Sequence, residues 1–159
     1  MRKGVALTAA VLLLVAGCET GGSGSREGSG TATATTVATR LQEWAVVVET
    51  TSAPPGPVTF EVTNAGEDVH ELVVLRTGRA PDSLPTSEDG AVIEDAEGVE
   101  VVGEVEDIEP GASADLTVDL EGGTYVLVCN IVHSEDHGGH GGVEVHYALG
   151  MRTGFNVAA

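Results

Sequence analysis

Between Gly123 and Val157 the chain gathers Cys129, His133, His137, His140, His146 and Met151. Of the five histidines only His70 lies elsewhere, and the other cysteine and methionine, Cys18 and Met1, stand near the N-terminus. A thiolate, imidazoles and a thioether on one short connection are soft and borderline donors. That mixture suits copper far better than Mg2+ or Ca2+. Taken alone, Cys129 reads equally well as a small buried hydrophobe, so its meaning depends on what is brought to it.

The elements that must position these residues are strands. In Gly123–Asn130 alternation puts Tyr125, Leu127 and Cys129 on one face and Val126 and Val128 on the other. Arg152–Val157 reads as the next strand, with Phe155 and Val157 sharing a face. His70 follows the turn Asn64-Ala-Gly-Glu-Asp and precedes the apolar run Leu72–Leu75, so it stands at a strand entrance. Candidate strands cover Val37–Leu41, Trp44–Glu49, Pro57–Asn64, Glu71–Arg76, Val99–Val105, Ala114–Leu120, Thr124–Asn130 and Arg152–Val157. No stretch downstream of the N-terminal apolar run shows sustained helical periodicity, and turn residues separate the strands. The fold class is therefore all-β, a sandwich of two sheets. The connection Thr77–Gly98 is long and polar; a short helix fits it, and the sequence gives it no role.

Two motifs in this order resemble the cupredoxins, the small blue copper proteins, and most closely their exported bacterial lipoprotein members. The first is Phe60, Val62, Asn64, Gly66, His70 and Glu71; the second is Gly123, Thr124, Tyr125, Cys129, Asn130, His146, Gly150, Met151, Arg152, Phe155 and Val157. The resemblance covers roughly residues 40–159. It implies a Greek-key β-sandwich of about 7–8 strands holding one type 1 copper ion. His70, Cys129 and His146 would form a trigonal set, with Met151 as the weak axial ligand. Backbone amides after Asn64 and after His70 are candidate donors to the Cys129 sulfur, and the resemblance implies that His146 forms the exposed edge through which electrons pass, unless extra residues in the ligand loop cover it. One departure stands out. Cys129 and His146 are seventeen positions apart, about twelve more than in compact members of the family. His133 lies nearer to Cys129 and competes for the second imidazole position; His146 is preferred because it keeps the family's Tyr-x-x-Gly-Met surroundings and its spacing to Met151. His133, His137 and His140 are also a candidate second metal site, weighed against a plain solvated loop.

The N-terminus opens with Arg2 and Lys3, a thirteen-residue small or apolar run from Val5 to Gly17, and then Cys18. This is too short to span a bilayer and reads as an export signal. The Val-Ala-Gly-Cys ending resembles a bacterial lipobox, which makes 1–17 a signal peptide and Cys18 the lipidated first residue of the mature chain. Residues 18–36 then form a Gly/Ser/Thr-rich tether, and 37–159 the cupredoxin-like domain. With Cys18 assigned to lipid, Cys129 has no disulfide partner in the chain.

Loss of Arg2 and Lys3 with the signal leaves 5 basic residues against 25 acidic ones, a formal net charge of −20. Such a chain repels nucleic acid, and a docking partner would present a basic patch. The reading is of an extracytoplasmic, membrane-tethered one-electron carrier that is not an enzyme and has no small-molecule substrate. A copper-holding or copper-delivery protein is the alternative. A cupredoxin-like domain without metal is disfavoured, because all four ligand types are present.

Overall fold

A computed structural model describes residues 34–135 and 142–159. The signal segment, Cys18, most of the tether, His137 and His140 lie outside the described residues. Among the described residues eleven strands follow in order: β1 Thr35–Gln42, β2 Ala45–Val48, β3 Ser52–Ala53, β4 Gly56–Asn64, β5 His70–Thr77, β6 Val99–Ile108, β7 Ser113–Leu120, β8 Gly123–Val128, β9 Val132–Glu135, β10 Gly142–Val145 and β11 Arg152–Val157. One helical turn, α1 His146–Leu149, precedes β11.

Two sheets face each other, one ordered β2-β1-β4-β7 and the other β3-β11-β8-β5-β6. β7 returns beside β4 and β8 beside β5, the return that marks a Greek key. The eight expected strands are all present. Thr35 and Thr36, expected in the tether, instead pair with Val58 and Thr59 in a parallel ladder. β3, too short to show alternation, adds a parallel edge to β11.

Alternation builds the core. On β1 and β4, Val37, Thr39, Leu41, Val58, Phe60 and Val62 are buried, while the residues that alternate with them are exposed or half-buried. The apolar ones meet Leu72, Val74, Leu127, Cys129, Phe155 and Val157 of the facing sheet and its edge, and Phe60 packs edge-on against Phe155 at 5.4 Å between ring centroids.

β5 and β8 do not alternate, because both faces of each strand are covered. Their outer face, Val73, Leu75, Val126 and Val128, packs with Leu84 and Val92 of the long polar connection and with Val145 and Tyr147. That connection, 78–98, therefore seals the second face of the sheet. It holds a single isolated bridge, Thr86 to Val92, in place of the short helix that its sequence allows.

Candidate metal centre

His70 opens β5, and the turn before it is built by Asn64. This fully buried side chain donates to the carbonyls of Asp68 and Ile108, both at 2.7 Å, and accepts the Gly66 N–H at 2.8 Å. Both its amide hydrogens and its amide oxygen are engaged, tying the bend to the end of β6. Cys129 follows β8 directly and points into the core, where it is fully buried.

His146 reaches the same place by a device the sequence did not reveal. β9 and β10 pair antiparallel, Val132 with Val145 and His133 with Glu144, and the His146 N–H closes the base by donating to the Ile131 carbonyl at 3.0 Å. The two described ends of the insertion, Val132–Glu135 and Gly142–Val145, thus leave the site side by side as a paired ribbon. Beyond it, the Met151 N–H bonds the His146 carbonyl at 3.0 Å, and the Cys129 N–H bonds the Met151 carbonyl at 3.1 Å. Gly150, at φ +129°, makes the bend between them, and a side chain there would press on the Trp44 carbonyl.

The result is a convergence of donors. His146 Nδ1 lies 3.2 Å from Cys129 Sγ and 3.1 Å from His70 Nδ1, and His70 Nδ1 lies 3.8 Å from Cys129 Sγ. All three residues are fully buried, and so is Met151, which packs in the same core cluster as Cys129. Glu71 N–H points at Cys129 Sγ at 3.5 Å, one of the two amides expected there. The other, Ala65 N–H, instead bonds the Leu41 carbonyl.

Burial sets the protonation of these groups. It pushes the Cys129 thiol up to about 12, against the opposing pull of the Glu71 and Ile131 amides. Burial, together with the neighbouring His70 and His133, draws His146 down to about 4. At neutral pH His146 therefore offers a lone pair and Cys129 holds its proton. Two imidazole nitrogens and a thiol sulfur, mutually within 4.8 Å and shut off from water, form a His2Cys donor set. With a thioether buried in the same cluster, these residues fit a single type 1 copper ion.

His146 is not an exposed edge. Its ring is fully buried, with Trp44 edge-on at 5.0 Å and His133 tilted at 4.9 Å between centroids. His133 thus covers His146 instead of replacing it beside Cys129. His146 Nε2 and His133 Nε2 are both buried without a hydrogen-bond partner among the described residues. Carboxylate oxygens of Asp68 and Glu144 lie within 4.8 Å of each other and of a His146 ring nitrogen, giving the covered side an acidic rim.

Sequence reasoning missed three residues. Glu43 accepts from the Glu67 and Asp68 amides at 2.9 and 3.0 Å and from His70 Nε2 at 3.0 Å; no motif surrounds it. Burial raises its carboxyl, but the hydrogen bonds from the backbone amides of Asp68, Glu43 itself and Glu67 and from His70 outweigh that and bring it to about 2. Asn130, noted only as part of a motif, clasps the covering connection. It accepts the Val92 N–H at 2.7 Å and donates to the Val92 carbonyl at 3.1 Å and to Glu94 at 2.8 Å. The Tyr147 hydroxyl makes a second clasp, donating to the Pro81 carbonyl at 2.8 Å and accepting the Leu84 N–H at 3.3 Å.

A two-sheet Greek-key sandwich with a His2Cys cluster and a buried methionine defines a cupredoxin-like domain whose donors fit copper. Comparison with solved structures agrees on the fold. The auracyanin of Roseiflexus castenholzii, in its dithionite-reduced form, superposes with a TM-score of 0.51 at 21% identity, over 82% of this chain and 100% of that one. Auracyanin A of Chloroflexus aurantiacus, a blue copper protein, gives 0.50 at 17% identity, over 79% and 99%. The chain has the cupredoxin fold. No protein-family model and no curated protein sequence matches it.

Proposed function

We propose that this protein is a one-electron carrier, not an enzyme, in which His70, Cys129, His146 and Met151 would hold a copper ion. The carrying observation is the convergence of His70 Nδ1, Cys129 Sγ and His146 Nδ1 on one buried point. A copper ion bound there supplies one-electron exchange between Cu(II) and Cu(I), both of which a His2Cys site with a weak thioether accommodates.

The protein's own part is to keep the donors still. Asn64 fixes the turn that delivers His70, and the backbone bonds among Ile131, His146, Met151 and Cys129 lock the remaining three together. The Glu71 amide, aimed at Sγ, tempers the electron density of the thiolate. With His146 beneath Trp44 and His133, electrons cross that aromatic cover. The acidic rim of Asp68 and Glu144 recruits a redox partner bearing a basic patch. In this reading the chain is exported and tethered to the outer face of the membrane by lipid on Cys18. Among the described residues no helix is long and apolar enough to cross a membrane.

The test is spectroscopic. Copper addition to the purified domain gives an intense visible thiolate-to-Cu(II) band, Cys129→Ala abolishes it, and voltammetry returns a reversible couple with the metal retained. Absence of the band from the wild-type protein overturns the proposal. A copper-holding or delivery role is the second reading, favoured by His133, whose unpartnered Nε2 beside His146 offers a departing ion its next ligand. Rapid loss of copper to a chelator, without a reversible couple, selects it.

A further inference from the structure

Glu43 stands in the turn between β1 and β2, yet it touches the opposite side of the ring that faces Cys129. A single oxygen, Oε1, collects the Glu67 N–H, the Asp68 N–H and His70 Nε2 at 2.9, 3.0 and 3.0 Å. Gly66 provides the room, since a Cβ at that position would collide with the Glu43 carboxylate. An ionised carboxylate only accepts hydrogen bonds. Nε2 of His70 therefore carries the hydrogen, and Nδ1, facing Cys129 Sγ and His146 Nδ1, carries the lone pair. His70 is fully buried, so no water competes for its Nε2–H.

We propose that Glu43 is a positioning residue that holds His70 as the Nε2–H tautomer and, through that hydrogen bond, strengthens Nδ1 as a donor so that bound copper is biased toward Cu(II). This rests on the copper reading above. A carboxylate on the far nitrogen of a ligand histidine fixes the tautomer and raises the basicity of the ring. Its negative charge also favours the more highly charged oxidation state. Were Glu43 only a clip for the turn, its bonds to the two amides would suffice and its charge would not matter.

Two variants separate these roles. Glu43→Gln keeps an oxygen for all three hydrogens and removes the charge, whereas Glu43→Ala removes both. In the metal-free protein, nitrogen-15 NMR of His70 is expected to show hydrogen on Nε2 in the wild type and in Glu43→Gln, and a tautomer mixture in Glu43→Ala. In the copper-loaded protein, Glu43→Gln is expected to raise the potential as the Cu(II) over Cu(I) preference falls about threefold to tenfold, the latter being about 59 mV. Glu43→Ala is expected to lower Cu(II) affinity about 10–100-fold. An unchanged potential in Glu43→Gln overturns the electronic part of the proposal. A single Nε2–H tautomer persisting in Glu43→Ala overturns the positioning part. If Glu43→Ala does not fold, a wild-type His70 with hydrogen on Nδ1 overturns the positioning part equally. A wild-type protein that binds no copper refutes the metal reading, and the metal-free NMR still decides the tautomer.

Discussion

Filling the site must expel a proton, and the structure gives the size of the effect. With its thiol pushed up to about 12 from an ordinary 9.0, Cys129 is about five units from ionising at pH 7. The cost is about 7 kcal/mol, of which about 4 kcal/mol is the excess over an ordinary thiol. A metal that bonds to sulfur must supply that free energy, which excludes ions with weak affinity for thiolate. His146, drawn down to about 4, is already neutral near pH 8, so its free ring nitrogen binds without releasing a proton. The expected result is one proton released per ion bound. The logarithm of apparent affinity should accordingly rise by about one per pH unit around pH 8. Calorimetry in two buffers of different ionisation enthalpy measures the release directly, with zinc(II) as a redox-silent stand-in for copper(II). Cys129→Ala should release none. Stoichiometric binding by the wild-type domain without proton release would refute the reasoning, since the sulfur would then be either ionised beforehand or not a ligand.

Other outcomes follow from the same geometry. Because the folded-state value of His146, about 4, lies below the ordinary 6.5, the unfolded chain binds more protons between those values. The metal-free domain is therefore expected to lose up to about 3 kcal/mol as the pH falls from about 6.5 to 4, seen as a falling urea midpoint; a flat midpoint contradicts it. His146→Ala should lose or shift the visible band while His133→Ala leaves it nearly unchanged, and the reverse pattern would exchange their roles. Asn130→Ala leaves the Val92 amide and carbonyl without their partner, costing about 2–3 kcal/mol. It should also open the 78–98 connection to limited proteolysis, and unaltered resistance would deny the clasp.

What the sequence disclosed was periodic or local. Alternation on β1, β4 and β7, the turn-plus-histidine motif at His70 and the cysteine, histidine and methionine motif of the last strands pointed to the sandwich and brought His70, Cys129, His146 and Met151 forward as candidates. Three things lacked such a signal. β9 and β10 are short strands whose pairing depends on the chain folding back on itself, so His133 looked like a competitor for Cys129 when it lies over His146. The polar composition of the 78–98 connection hid Leu84 and Val92, which help Val145 and Tyr147 to cover the outer face of β5 and β8. Glu43 acts on His70 across 27 positions of sequence, a separation at which no spacing rule applies.

The two clasps, Asn130 to Val92 and Glu94, and Tyr147 to Pro81 and Leu84, bind the ligand-bearing segment to a stretch of chain that supplies no ligand at all. Anyone transplanting Cys129–Met151 into a foreign sandwich would carry along an amide and a phenol shaped for a counterpart the host lacks. The exchangeable module is the pair of segments, and a graft of one without the other should assemble poorly however faithfully its four donors are copied.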